Sequence, residues 1–310
     1  MRTGRVVVLS FLLTMAVVLG SAPYAAAGSA TYRLWHWNIA GNALHHGSVS
    51  DGLIDALTAS VRHRDADLVS LNEVCHGQYE AVLKRLRHLG WPADRTNFAR
   101  FTPTLGPREG LCRGSEAYGV ALFSKRPLGP AATYVLPSDG AVERRVLLCA
   151  PLAARPKVTF CTTHLTPMSA YNKRQITALR THLDAFAHAG RSYMVAGDFN
   201  AQPHQERMEQ LYAPSANSPA DQGDRGAHRE LDDADARHCM GRGERTFTVP
   251  AASLGPCGSG VKLDHLLVRA AQISGAYSAD ALALPTSCSG MRYCSDHHAL
   301  IGTVSLRSGR

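Results

Sequence analysis

The chain has 310 residues, with 33 Lys and Arg against 25 Asp and Glu and a formal net charge of +8 at pH 7. That length allows one large domain or two ordinary ones, with a core sizeable enough to stand without metals or disulfides. No stretch beyond the N-terminal leader is apolar enough to cross a bilayer. The positive balance suits a polyanionic partner, nucleic acid or phospholipid head groups, although the arginines are spread along the chain.

Residues 1–27 read as an address. Arg2 and Arg5 open the segment, residues 6–19 are apolar except for Ser10 and Thr14, and Ala25, Ala26 and Ala27 supply the small residues of a cleavage site. The run is too short and too weakly flanked for a stable span. Cleavage after Ala27 and export are predicted, with an uncleaved anchor as the alternative. Loss of Arg2 and Arg5, in a stretch with no acid, leaves a single domain over 28–310 with net charge +6.

Residues 32–39 read as a strand, and 51–62 as a helix with Leu53, Ile54, Leu57 and Val61 on one face. A buried-type strand over 67–71 and a helix over 79–89 follow. Residues 118–123 form another strand, and 145–152 with 157–163 form a hairpin around 153–156. The longest helix, 170–188, carries Ile176, Leu179, Leu183 and Phe186 in one stripe. Further strands fall at 192–196, 263–268 and 299–304. Residues 214–230, rich in Pro, Asp, Gly and Ser, read as a surface excursion. This mixture, hairpins included, argues for an α/β protein whose sheets are not purely parallel.

All eight cysteines lie beyond residue 27, and an even count behind an export leader predicts four disulfides. No CxxC pair or Cys/His cluster has zinc-site spacing. Pairing of neighbours along the chain is expected: Cys75–Cys112, Cys149–Cys161, Cys239–Cys257 and Cys288–Cys294. Hairpin geometry supports the second, since positions summing to about 310 face each other across the turn. Cys75–Cys112 would join the segment after Glu73 to the loop before Glu116, and Cys288–Cys294 would clamp the loop before Asp296.

Chemistry-bearing residues fall at strand ends. Asn38 closes Trp-His-Trp-Asn, Glu73 closes Val-Ser-Leu-Asn-Glu, and His164 follows Cys-Thr-Thr. Asp198 and Asn200 follow Val-Ala-Gly, Asp264 interrupts Lys-Leu-Asp-His-Leu, and Asp296 and His297 precede the last strand. Strand ends are where α/β proteins bind ligands. The carboxylates and amides are hard oxygen ligands suited to Mg²⁺ or Mn²⁺, with Ca²⁺ also admitted. Two histidines could move protons near neutral pH. Such a set suits hydrolysis of a phosphodiester.

The ordered series WNIAG, LNEV, TTHL, GDFN, KLDHLLV and SDHHAL, spanning 32–304, resembles the endonuclease/exonuclease/phosphatase superfamily, which includes deoxyribonuclease I. The resemblance implies a four-layer sandwich, two packed mixed β-sheets flanked by helices, with the site at one edge. It implies a metal site at Glu73, Asn38 and Asp296. It implies a general base, His297, oriented by Asp264, and a water- and phosphate-orienting pair, Asp198 and Asn200. His164 matches a second histidine of the deoxyribonuclease branch, and Ser115-Glu116-Ala117-Tyr118 resembles the stretch whose Glu holds it. Arg145 matches a phosphate-binding arginine, with Arg144 as competitor. His36 and the histidines beside the motif residues, His265 and His298, receive no catalytic role, and the Trp35/Trp37 alternation reads as core packing.

Charge, export and the His164/Glu116 pair favour a nuclease, acting as a monomer. The positions where a pancreatic-type deoxyribonuclease carries two DNA-touching arginines are here Ala40 and Cys75, so Arg100, Arg108 and Arg113 are the expected replacements. A sphingomyelinase-type phospholipid phosphodiesterase or a phosphatase is the alternative, and a catalytically silent binding module a lesser one. The loops 102–115 and 250–260 contain no Trp that would dock on a membrane.

Overall fold

The computed structural model describes residues 29–92, 95–284, 288, 290–291 and 293–307. The expected leader and its cleavage point lie outside them. Strands are numbered in chain order. One sheet contains β1 (Ser29–Asn38), β2 (Leu68–Cys75), β3 (Ala99–Leu105), β4 (Tyr118–Ser124), β11 (Ser278–Leu282) and β12 (Ala299–Arg307). Their order is β11-β12-β1-β2-β4-β3. The second contains β5 (Ala132–Val135), β6 (Val146–Leu152), β7 (Arg155–His164), β8 (Ser192–Asp198), β9 (His228–Glu230) and β10 (Asp264–Arg269), in the order β5-β6-β7-β8-β10-β9.

Each sheet is mixed for the same reason. β1 pairs parallel with β2 through the crossover helix α1 (Leu53–His63). Helix α4 (Ser169–His188) joins the parallel pair β7 and β8. A parallel pair needs such a crossover, whereas the antiparallel β6–β7 pair needs only a hairpin. Helix α2 (His76–His88) follows β2, and a single turn, α3 (Arg95–Phe98), precedes β3.

Three apolar layers separate four layers of secondary structure. Leu53, Leu57 and Val61 of α1 and Val82 and Leu86 of α2 cluster with Trp35, Val69 and Leu71 of the first sheet. Between the sheets, Leu34, Leu68 and Leu122 cluster with Phe160, Met194 and Leu266. Ile176, Leu179 and Leu183 of α4 cover Leu147, Val195 and Leu267 on the far side. Alternation along β1 divides its residues accordingly, with Trp35 and Trp37 towards the helices and Tyr32 and Leu34 towards the other sheet. The two tryptophans pack edge to face in that core, 5.9 Å apart.

All four expected disulfides are present. Cys149 sits directly opposite Cys161 across the β6–β7 ladder, their Cα atoms 4.1 Å apart. Two expectations are corrected. Arg100 is not on a loop and the 102–115 stretch is not wholly one, since β3 runs from Ala99 to Leu105. Arg100 bonds the carbonyls of Leu128 and Gly129 at 2.7 Å each, which holds it away from the cleft. Nor is 214–230 a solvated excursion: it ends in β9, and Asp221, Asp224, His228 and Glu230 are buried. No helix among the described residues is long and apolar enough to cross a membrane.

Candidate active site

Topology delivers the motifs to one edge. β12 runs antiparallel to β1, so the residues before β12 lie at the end of β1 where Asn38 sits. β10 runs antiparallel to β8, with Asp264 paired to Asp198, and β7 runs parallel to β8, with His164 paired to Asp198. The two edges meet because the Asn38 amide donates to Glu73 Oε1 and to Asp198 Oδ2, each at 3.0 Å. A further link is the Ser295 hydroxyl, which donates to the Asn38 carbonyl at 2.7 Å and accepts the His297 N–H.

Asp198 Oδ2 is the centre of the site. His164 Nε2 stands 3.6 Å from it and His297 Nε2 3.7 Å. The two rings are set to different charge states, His297 protonated and His164 neutral. The His297 Nδ1–H donates to Asp264 Oδ2 at 2.7 Å. Burial works against its charge, but the Asp264 and Asp198 carboxylates outweigh it and push His297 up to about 10. His164 is held well below the usual histidine range, by burial first and by Arg145 and His297 after it. Its Nε2 is 3.3 Å from the Asn200 amide nitrogen, which only donates, so His164 is neutral with its proton on Nδ1. Burial and the nearby Asp264 charge push Asp198 up to about 7, against the pull of His297. Burial also opposes ionisation of Asp264, yet its bonds to His297 and His36 hold it far below the carboxylate range.

Asp264 is itself held from behind. His36 Nε2 bonds Asp264 Oδ1 at 3.0 Å, and His36 Nδ1 is 2.9 Å from the Ser70 hydroxyl, which donates to Thr162 at 2.7 Å. Sequence reasoning gave His36 no role. The signal was available, because His36 lies two positions before Asn38 on β1 and therefore on the same face. Asn72 was also missed; its Oδ1 accepts the Asp198 N–H and its amide bonds Thr162. Phe247 packs edge to face on His297, centroids 5.1 Å apart.

Glu116 does not reach His164. Its carboxylate accepts the Gly77 N–H at 2.7 Å, at the start of α2, where unpaired N–H groups favour an anion. The acid nearest His164 Nδ1 is Glu143, at 4.0 Å, from a loop with no periodicity to mark it. Glu143 also contacts Arg145 at 3.1 Å, and Nε and Nη1 of that buried guanidinium have no hydrogen-bond partner. Arg144, the competitor, is exposed. Ala40 is buried and Cys75 is held by its disulfide, so neither is a substitute for a DNA-contacting arginine.

Among the described residues, one group of three could hold a metal ion by proximity: Asp198, Asp264 and His297, with ligand atoms within 4.8 Å. Both Asp264 oxygens there already bond histidines. The freer hard donors are Glu73 and Asp296, both part-exposed, the side chain of the latter making among the described residues a 3.5 Å contact to Ser295. An oxygen donor set beside a buried Asp198 fits a hard divalent cation.

The sequence profile described as the Endonuclease/Exonuclease/phosphatase family matches residues 35–297. The chain belongs to this family. Endonuclease/exonuclease/phosphatase proteins are divalent-metal-dependent phosphoester hydrolases, and the matched span contains every candidate site residue from Asn38 to His297. The fold is similar to the human Nocturnin catalytic domain solved with bound sulfate anion, with TM-score 0.65 and 19% identity over 89% of this chain and 93% of that one. It is similar to an endonuclease/exonuclease/phosphatase from Beutenbergia cavernae, with TM-score 0.61 and 20% identity over 90% of this chain and 72% of that one. Truncated Caenorhabditis elegans TDP2 is also similar, with TM-score 0.57 and 14% identity over 88% of this chain and 97% of that one. No curated protein sequence matches the chain.

Proposed function

We propose that this chain is a secreted, divalent-metal-dependent phosphodiesterase that cleaves nucleic acid, with His297 as the group that activates water. The observation that carries the reading is the His297–Asp264 bond of 2.7 Å, which leaves Nε2 facing Asp198 beside the second, neutral histidine. Four disulfides support an extracellular setting.

Asp264 fixes the His297 ring and tautomer, leaving Nε2 to exchange a proton with water. Asn200 and Asp198 orient that water and the phosphate. Nε and Nη1 of Arg145 have no hydrogen-bond partner, Nε facing Asp139 only at 3.8 Å, and suit non-bridging phosphate oxygens. Glu73, Asn38 and Asp296 would hold Mg²⁺ or Mn²⁺, which when bound would neutralise phosphate charge and draw His297 down towards its base form. His164, with Nε2 3.6 Å from Asp198 Oδ2, would take a proton at Nε2 and pass it to the leaving oxygen, balancing the proton His297 takes from water.

A second reading, a phospholipid phosphodiesterase, has its own observation. Leu254 is 82% exposed, and Leu111, Val142, Val249 and Tyr293 are exposed as well, on loops at or next to the site edge. The test is a panel of plasmid DNA, RNA, sphingomyelin and a chromogenic phosphodiester, each with Mg²⁺, Mn²⁺ or Ca²⁺. Nucleic acid cleavage that falls steeply with salt is expected. Cleavage of sphingomyelin with both nucleic acids intact would select the lipid reading.

A further inference from the structure

The segment between β8 and β10 carries a dense set of acids, and almost all of them are matched. Arg229 bonds both oxygens of Asp233 at 2.6 and 2.8 Å. The buried Lys262 lies 3.4 Å from both Glu230 and Asp232. Arg225 bonds Glu209 through one carboxylate oxygen, Oε2. Asp221 and Asp224 are the exceptions. They are 1% and 5% exposed, and all four of their carboxylate oxygens are buried without a hydrogen-bond partner. The nearest cations are engaged elsewhere: Arg229 on Asp233, Arg225 on Glu209, and Arg242 on Gln202 and the Gly260 carbonyl.

Four carboxylate oxygens without hydrogen-bond donors inside a folded protein are a large desolvation cost, which burial expresses by pushing Asp221 and Asp224 up to about 7. The backbone around them is arranged rather than loose. Residues 218 and 221 exchange backbone hydrogen bonds, and the Asp224 N–H is held by the Asn217 side chain at 3.1 Å. Gly223 has a left-handed φ of +91°, and a Cβ there would lie 3.0 Å from Glu209 Oε1, the oxygen Arg225 does not bond. Glycine thus lets a third carboxylate close on the Asp221–Gly223–Asp224 turn.

We propose that Asp221, Asp224 and Glu209 form a second cation site, distinct from the catalytic centre, that takes Ca²⁺. The donors are oxygen only, carry up to three negative charges and can bind through both oxygens of a carboxylate, which suits the high and flexible coordination of Ca²⁺ better than the strict octahedron of Mg²⁺. Their ligand atoms are not gathered within 4.8 Å as those of Asp198, Asp264 and His297 are. Binding therefore requires the side chains to close on the ion, which would relieve the repulsion among three carboxylates. The role is structural: between Glu209 and β9, Leu211 and Tyr212 are fully buried in the core under α4.

The test uses thermal unfolding of the full chain in chelator and in millimolar Ca²⁺. Calcium should raise the Tm of the chelated protein by about 5 °C, the size expected for saturating binding to the native state alone. In the double variant Asp221→Asn with Asp224→Asn, the calcium shift should vanish, while Tm in chelator equals or exceeds that of the unmodified chain. Glu73→Ala, which alters the catalytic donor set, should keep the shift. A shift lost in Glu73→Ala but kept in the double variant would assign the ion to the catalytic centre and overturn the proposal. So would the absence of any shift in the unmodified chain, or a double variant less stable than that chain in chelator.

Discussion

Two places in this molecule bury carboxylates, and they do so in opposite ways. At the catalytic edge, both oxygens of Asp264 meet a histidine nitrogen, and those of Asp198 meet the Asn200 N–H and the Asn38 amide. At the Asp221–Asp224 turn, no oxygen of either acid meets a donor. Solvent exposure is similarly low in the two places, and the hydrogen-bond compensation differs. A buried acid bonded at every oxygen is a finished part of the protein, serving to hold something else. A buried acid bonded at none is open to a proton, and burial pushes Asp221 and Asp224 up to about 7, or to a cation from outside. Carboxylates of similarly low exposure therefore read as positioning in one region and as affinity in the other.

Substitution separates the two regions. The largest effect is expected at the relay. Asp264→Asn should reduce turnover by about 10⁴-fold, because the amide can leave His297 in the wrong tautomer, whereas Asp221→Asn should leave turnover within about twofold. His297→Ala should cost roughly 10³-fold or more, and combining it with Glu73→Ala should add far less than a second full loss, since both serve one step. Single-turnover rates on a chromogenic phosphodiester measure both. Full additivity would mean that the two groups do not act together.

Next in size is His36. His36→Ala should lower kcat by about tenfold to a hundredfold with KM little changed, the scale seen when a group behind a functional side chain is removed. His36→Gln, which keeps a donor towards Asp264, should recover part of the loss. A variant that loses stability but not kcat would reduce His36 to packing.

A stability effect follows from the histidines outside the site. His228 bonds the Tyr193 hydroxyl and the Leu211 carbonyl, and burial pulls it down to about 4; burial likewise pulls His265 down to about 3. Their folded pKa lies below the unfolded value, so the stability they confer is fully present above about pH 6.5 and is lost as pH falls towards 4. Tm should fall across that window, and His228→Gln should flatten the fall. An unchanged slope would assign the acid sensitivity to other groups. The smallest effect is expected at Glu116. Glu116→Gln should cost about 0.3–1 kcal/mol in denaturant unfolding through the start of α2, with activity nearly unchanged. A large activity loss would restore it to the neighbourhood of His164.

How much of this was legible beforehand follows from what leaves a trace in residue order. Asn38, Glu73, His164, Asp198 and Asp264 stand at the ends of apolar strands, so alternation located them, and an ordered set of short motifs pointed to two packed sheets. Alternation also held the key to His36, on the inward face of β1 between Leu34 and Asn38, but a histidine without a visible partner carries no label. Glu143 approaches His164 from a loop, where no period exists to read. The 214–230 segment misled for a physical reason. Pro, Asp, Gly and Ser are what a solvated turn contains, and they are equally what a tight, acid-lined turn contains; only burial separates the two.

The histidine relay has a mechanical consequence. His36 and Ser70 belong to the first sheet, Asp264 and Thr162 to the second, so the chain of hydrogen bonds crosses the gap between the sheets twice. Alignment of His297 therefore depends on how the two sheets are registered, much as a vernier depends on both of its scales. A sliding of a fraction of an ångström, too small to lower the melting temperature, would lengthen these bonds. Trimming Leu34 or Leu266 in the layer between the sheets should then be felt as lost turnover at an edge neither side chain touches.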